Sequence, residues 1–299
     1  MNDQATALEP RPTNGSLPAG HATGAAAPAR RSAAGDPLAD RARRIWGAGE
    51  YDRISAGFRD GAEAFVERCA LQRTERVLDV ACGSGNLTIP AARTGAAVTG
   101  LDIVPSLLAA AATWAEREGL SVALDEGNAE ELPYADAQFD AVLSMFGVMF
   151  AARPERVVAE LARVTRPGGR VALANWTRFG FTGRMLAMHA ALVPPPPGVA
   201  SPLQWADGAV LREWFDEPTW QLTTTTRTLT FRYPHTPAGT AELFRATYGP
   251  TVRTFEAIDE DRRAHFARQL EDHWLRHDRT GGAATEVEAE YLEVVAVRR

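Results

Sequence analysis

Between Arg76 and Trp176 the chain repeats one unit: a short, nearly unbroken apolar run followed by a stretch with helical spacing. The runs are Val77-Leu78-Asp79-Val80-Ala81, Ala97-Val98-Thr99-Gly100-Leu101, Ser121-Val122-Ala123-Leu124, Phe139-Asp140-Ala141-Val142-Leu143 and Arg170-Val171-Ala172-Leu173-Ala174. Such runs suit strands buried on both faces, and stretches such as Pro105 to Glu118 and Pro154 to Val164 supply the covering helices. Strands joined through helices pair in parallel, so the rhythm predicts a doubly wound α/β sheet.

After Trp176 the rhythm breaks. Pro194-Pro195-Pro196-Pro197 reads as a stiff linker. A Thr-rich run extends from Leu222 to Tyr233, helical patterns cover about Thr240 to Tyr248 and Asp259 to His277, and a last apolar run spans Tyr291 to Val297. The Thr-rich and last runs are expected to pair antiparallel along one sheet edge. The expected whole is a Rossmann-like, mainly parallel seven-stranded sheet with an antiparallel edge hairpin and a helical lid insertion. Upstream, Phe58, Ala62, Phe65, Val66 and Cys69 fall near one face of a helix over residues 56–71. Residues 1–38 are dominated by Ala, Pro, Gly, Thr and Arg without apolar periodicity, and are expected to form a disordered arm before one domain over residues 39–299.

Composition narrows the partners. With 45% hydrophobic and 23% charged residues among 299, the chain has material for one sizeable core. The formal charge of −6 offers no basic field for nucleic acid or an acidic lipid surface, which leaves a small molecule as the expected partner. Every cationic side chain apart from histidine is arginine, so a lysine Schiff base is excluded. The two cysteines, Cys69 and Cys82, are too few for a disulfide framework and lack zinc-site spacing. No apolar stretch reaches the roughly 20 residues that span a membrane, and no secretory signal is visible. A cytoplasmic location is expected; a homo-oligomer stays open.

The segment with most chemical content is Val77-Leu78-Asp79-Val80-Ala81-Cys82-Gly83-Ser84-Gly85-Asn86-Leu87, a strand entering a glycine turn and then a helix. Glycines let backbone approach a ligand, and a helix start presents unpaired N–H groups. Any strand-to-helix turn can carry glycine, so the turn alone says little. Asp79 says more, because a charge inside an apolar strand must be held by donors from the turn or from a ligand. Asp102 closes the second strand 23 residues later, where a carboxylate can grip a ribose diol; capping the helix from Pro105 is the alternative. Thr88 stands where a dinucleotide-binding loop has its third glycine, which disfavours NAD or FAD and suits a ligand with ribose and adenine but no phosphate.

From about Trp46 to Trp176 the sequence resembles the class I S-adenosylmethionine (SAM)-dependent methyltransferases, especially the small-molecule branch similar to ubiquinone and menaquinone C-methyltransferases. The resemblance implies that Asp79, Ala81, Gly83 and Gly85 hold the methionine part, that Asp102 grips the ribose, and that Ile103 lies against adenine. Glu126-Gly127-Asn128-Ala129-Glu130-Glu131-Leu132-Pro133 resembles the family's adenine-contacting segment, with Asn128 where an acid is usual; its side-chain carbonyl can accept from the adenine amino group. Met145 and Phe146, in Ser144-Met145-Phe146-Gly147, match the strand end that makes backbone contacts to SAM. Tyr51 matches a tyrosine that folds over the methionine carboxylate, and equally fits an aromatic anchor for a lid helix. Tyr51, Phe146 and Phe150 are candidates to face the sulfonium. The lid and acceptor region is expected over about 177–218 and 235–280.

The implied activity is transfer of the SAM methyl group to a small-molecule acceptor, natural-product-like or quinone-like, by in-line displacement. The alternative is a non-methylating cyclase on the same scaffold that keeps SAM as a structural cofactor. His189 and His235 are the histidines positioned to serve as a base, though a lone histidine is more often structural. His273 and His277 stand i, i+4 on an expected helix without a third ligand, so no metal site is expected.

Overall fold

A computed structural model describes residues 35–299. The arm expected over residues 1–38 therefore lies outside the described residues except for its last four. Of these, Asp36 caps α1 (Pro37–Trp46) by accepting from the Leu38 N–H. Then come α2 (Tyr51–Ser55), α3 (Arg59–Cys69), β1 (Arg76–Val80), α4 (Thr88–Arg93), β2 (Ala97–Asp102), α5 (Pro105–Arg117), β3 (Ala123–Glu126), β4 (Phe139–Met145), α6 (Pro154–Val164) and β5 (Thr165–Trp176). The second part holds α7 (Phe181–Leu192), α8 (Gly208–Trp214), β6 (Trp220–Tyr233), α9 (Pro237–Thr247), α10 (Gly249–Ala257), α11 (Glu260–His277) and β7 (Thr285–Arg298).

The strands form one seven-stranded sheet in the order β3-β2-β1-β4-β5-β7-β6. β1 to β5 are parallel, and β7 pairs antiparallel with both β5 and β6. The apolar runs are buried as expected: Val77, Leu78 and Val80 of β1 and Ala141, Val142 and Leu143 of β4 are fully enclosed. The chain winds one way from β1 to β3 and the other way from β4, so β1 and β4 flank the switch point of the sheet. Crossovers diverge there, which leaves a crevice beyond the strand ends.

Local differences from the sequence reading have physical causes. The stretch over residues 56–71 divides into a 3-10 turn at Ala56–Phe58 and α3, which ends at Ala70 in the left-handed conformation. β3 runs over Ala123–Glu126 rather than from Ser121, because Ala123 to Glu126 pair with Thr99 to Asp102. Helix α10 was not anticipated. Its buried positions are Gly249, Thr251 and Thr254, so no apolar stripe announces it. Among the described residues, no helix is long and apolar enough to cross a membrane.

Candidate cofactor and acceptor site

The crevice at the switch point is a cavity of about 340 Å³ that runs from the ends of β1, β2 and β4 to α1, α7 and α10. Tyr51, Asp79, Ala81, Gly83, Asp102, Ile103, Asn128, Ala129, Met145, Phe146 and His189 all line it. Gly85 does not. Its φ of +95° turns the chain into α4, and a Cβ there would stand 3.2 Å from Ile89 and 3.3 Å from Ala111, so its role is packing behind the wall. His235 also lies elsewhere; its backbone carbonyl accepts from the Thr285 hydroxyl.

Asp79 is 1% exposed, and no cation among the described residues pairs with it. Its Oδ2 accepts from the Thr88 hydroxyl at 2.6 Å. Burial pushes the carboxyl up to about 7; the Thr88 hydroxyl pulls it down, and the nearby Asp102 charge pushes it up again. Asp102 is held by backbone: Oδ2 accepts from the Gly83 N–H at 2.8 Å and Oδ1 from the Val104 N–H at 2.9 Å. Burial raises its pKa against the pull of these amides. The N-cap of α5 is Val104, so Asp102 is not that helix's cap. Each carboxylate oxygen retains lone-pair capacity for a further donor.

Backbone strain concentrates at the same strand ends. Ala81, just past β1, has φ +55°, and Phe146, just past β4, also has φ +55°. Side-chain-bearing residues in this region cost roughly 1–3 kcal/mol each and persist where the surroundings hold them, commonly around ligand sites. Here the Ser144 hydroxyl donates to the Val80 carbonyl at 2.7 Å and accepts from the Val148 N–H at 3.1 Å, tying the two strand ends together. Gly147 completes the fit, since a Cβ there would stand 2.7 Å from Ala81 Cβ.

The ring of Tyr51 lies over Gly83, and its hydroxyl makes no hydrogen bond among the described residues. Trp46 sets it edge-on at 5.6 Å and meets Phe150 at 4.8 Å, so these three rings form an aromatic corner of the cavity. Phe146 takes another course: its ring stacks on Trp176 in the core and is only 3% exposed, which disfavours it as a sulfonium-facing aromatic. Asn128 turns Oδ1, the atom expected to accept from an adenine amino group, onto the Glu130 N–H at 3.0 Å.

His189 reaches the cavity with both ring nitrogens occupied. Nδ1 donates to the Met185 carbonyl at 2.7 Å, which leaves Nε2 to accept from the Thr251 hydroxyl at 2.9 Å. Burial pushes its pKa down to about 4. A neutral, doubly bonded imidazole fits a structural role better than that of a base. His273 likewise bonds the Phe181 carbonyl and stacks on the Phe181 ring.

Several contributors were missed from the sequence. Thr88 holds Asp79. Ser55 and Ser84 meet hydroxyl to hydroxyl at 3.0 Å, and Asn86 donates to the Ser55 carbonyl while its Oδ1 stays buried with no partner among the described residues. Helix α1 forms a whole wall of the cavity through Leu38, Ala42, Ile45 and Trp46. It is strapped down by Arg43, which donates to the Ile103 carbonyl at 3.2 Å, and by Asp36, which pairs with Arg153; Arg153 in turn pairs with Glu130. Among the described residues, the strand end of the cavity thus sets Asp79 and Asp102, each with lone-pair capacity left, beside the unpartnered Oδ1 of Asn86, with no cationic clamp for phosphate. That inventory fits a ligand with an ammonium group and a ribose diol.

Comparison with known proteins agrees. Residues 78–173 match the methyltransferase domain family. The demethylmenaquinone methyltransferase of Thermus thermophilus is 33% identical over 172 residues, 55% of this chain and 68% of that protein. An uncharacterised protein of Mycobacterium tuberculosis is 34% identical over 272 residues, 88% of this chain and 96% of that protein. The fold is also that of the YcgJ protein of Bacillus subtilis, with a TM-score of 0.54 at 15% identity, covering 80% of this chain and 98% of that one. The chain belongs to the class I SAM-dependent methyltransferases. It is an enzyme of that class, in which SAM serves as methyl donor.

Proposed function

We propose that this chain holds SAM against the loops after β1 and β2 and transfers its methyl group to a small apolar acceptor, quinone-like or natural-product-like, seated beneath α1, α7 and α10. One observation carries the reading: two buried carboxylates, Asp79 and Asp102, are held by hydroxyl and amide donors rather than cations, at the floor of an open cavity. Carboxylates kept this way lack a counter-charge and are poised for a ligand that brings its own donors and positive charge. Asp102 then receives the ribose hydroxyls, Asp79 and Asn86 serve the ammonium end, and Ile103 and Ala129 flank adenine.

SAM, when bound, would supply an electrophilic methyl carbon on a positively charged sulfur, which leaves as a neutral thioether. The protein's part is alignment and exclusion of water. Trp46, Tyr51 and Phe150 present aromatic surface that shields the reacting centre and suits a cationic sulfur. The similarity to the Thermus thermophilus demethylmenaquinone methyltransferase supports a quinone-like acceptor. The net charge of −6 supports a partner that is neither nucleic acid nor an acidic membrane, in keeping with a cytoplasmic enzyme.

Calorimetry with SAM and S-adenosylhomocysteine tests the cofactor half, with binding expected for both. Methyl-labelled SAM tests the reaction. Label appearing in product supports transfer, whereas turnover of an acceptor without label moving overturns it in favour of the cyclase reading.

A further inference from the structure

The acceptor end of the cavity contains a cation that pairs with nothing among the described residues. Helix α1 presents Leu38, Arg41, Ala42 and Ile45 to the cavity, an i, i+3, i+4, i+7 stripe with an arginine in its middle. Arg41 is half-buried and has no ion pair or side-chain hydrogen bond among the described residues. Of the other arginines around α1, Arg44 likewise has no side-chain partner among the described residues but is exposed and does not line the cavity, whereas Arg43 and Arg253 are engaged. Arg43 pairs with Asp40 and Glu126 and donates to the Ile103 carbonyl; Arg253 donates to the Arg44 carbonyl and pairs with Glu256. A guanidinium carries five donors, so Arg41 brings a strong, unspent anion receptor to an apolar wall.

Helix geometry says which part of the cavity it serves. Arg43 anchors α1 to the tip of β2, on the cofactor side. At about 100° per residue, Arg41 stands roughly 200° around the helix from Arg43 and faces away from that anchor. The carboxylates Asp79 and Asp102 and the paired Glu130 belong to the strand end, and His189 is doubly bonded. Among the described residues, the acceptor end therefore joins apolar surface from α1, α7 and α10 to one unpaired cation, and lines up no free base with it.

We propose that the acceptor is an apolar organic acid, bound as its anion with that group on Arg41. Methyl transfer to an oxygen of that anion gives a neutral ester with no proton to remove, which accords with the occupied imidazole of His189. The inference rests on the methyltransferase reading above and deepens it by naming the substrate class and the residue that selects it.

The test uses the full chain loaded with S-adenosylhomocysteine, so that the cofactor end is filled. Calorimetry compares 2-naphthoate with 2-naphthamide and decanoate with decanamide, on the native protein and on Arg41→Leu. At least one acid is expected to bind ten times or more tighter than its amide, and Arg41→Leu to erase that preference while S-adenosylhomocysteine affinity stays within twofold and the melting temperature holds. Arg41→Lys should restore part of the preference. The proposal is overturned if no acid outbinds its amide, or if Arg41→Leu weakens S-adenosylhomocysteine instead, which would give the arginine to the cofactor's own carboxylate. If S-adenosylhomocysteine does not bind the native protein at all, the methyltransferase reading falls first, and the inference with it.

Discussion

The hydroxyl of Thr88 donates to Asp79 across 2.6 Å, from the position where a dinucleotide-binding loop would carry its third glycine. The substitution that argued against a pyrophosphate in the sequence thus has a use of its own. It supplies the donor that lets a carboxylate sit in the middle of an apolar sheet.

Removing that donor should be costly. Thr88→Val is nearly isosteric and leaves Asp79 with the Thr88 backbone N–H as its remaining donor. A buried acceptor deprived of a partner costs about 1–3 kcal/mol. Urea unfolding should show a lower midpoint at an unchanged slope; an unaltered midpoint would mean that water replaces the hydroxyl.

Asp79 also sets a pH dependence. Its carboxyl titrates near pH 7 folded, against an ordinary value of 3.8, so the folded state holds an extra proton between those limits. The stabilisation is fully present below about pH 4 and lost as pH rises through about 7. The stability of the native protein relative to Asp79→Asn should therefore fall across that window. SAM affinity should move the other way, rising up to about tenfold per pH unit until Asp79 is ionised and then levelling.

For Asp102→Asn, both backbone donors keep a side-chain oxygen within reach of one of them, but the charge facing the ribose is gone. SAM binding should weaken by about 10- to 100-fold, in line with the 1.5–3 kcal/mol typical of hydrogen bonds to charged groups. Calorimetry on protein shown by circular dichroism to be folded would decide; unchanged affinity would remove Asp102 from the site.

Gly147→Ala probes the strand ends. The new methyl group would stand 2.7 Å from both Cβ and O of Ala81, where neither can give way cheaply. Overpacking of this kind costs about 1–3 kcal/mol. Thermal unfolding should report that loss, and SAM affinity should fall with it because Ala81 is displaced.

Arg153→Ala should loosen α1. No side chain of that helix is fully buried, so its hold on the cavity depends on straps such as Asp36–Arg153–Glu130. Limited proteolysis should cut within residues 37–46 faster than in the native chain, and SAM should dissociate faster in stopped-flow measurements. An unchanged cleavage pattern would show that Arg43 alone suffices.

The sheet was legible because its strands are buried on both faces and therefore write themselves as apolar runs. Asp79 and Asp102 stood out as exceptions within those runs. What stayed hidden has a common cause: partners that touch only after folding. Thr88 and Asp79 are nine residues apart, but Arg153 and Asp36 are separated by 117, and Arg43 and Ile103 by 60. Helix α10 packs through threonines, so it produces no clean apolar period. His189 shows the converse: a lone histidine in an apolar helix is more often structural, and its two committed nitrogens give that reading its physical reason.

The insertion of β7 between β5 and β6 has a consequence for how the chain is made. β6 meets its neighbour only when residues 285–298 arrive, since every rung from Trp220 opposite Arg298 to Tyr233 opposite Thr285 uses that strand. During translation, a long threonine-rich ribbon must wait bare while more than fifty further residues leave the ribosome. The ribbon, studded with hydroxyls and carrying Arg227 on one face and Arg232 on the other, is well suited to that delay, because charge and polarity discourage pairing with a stranger's edge.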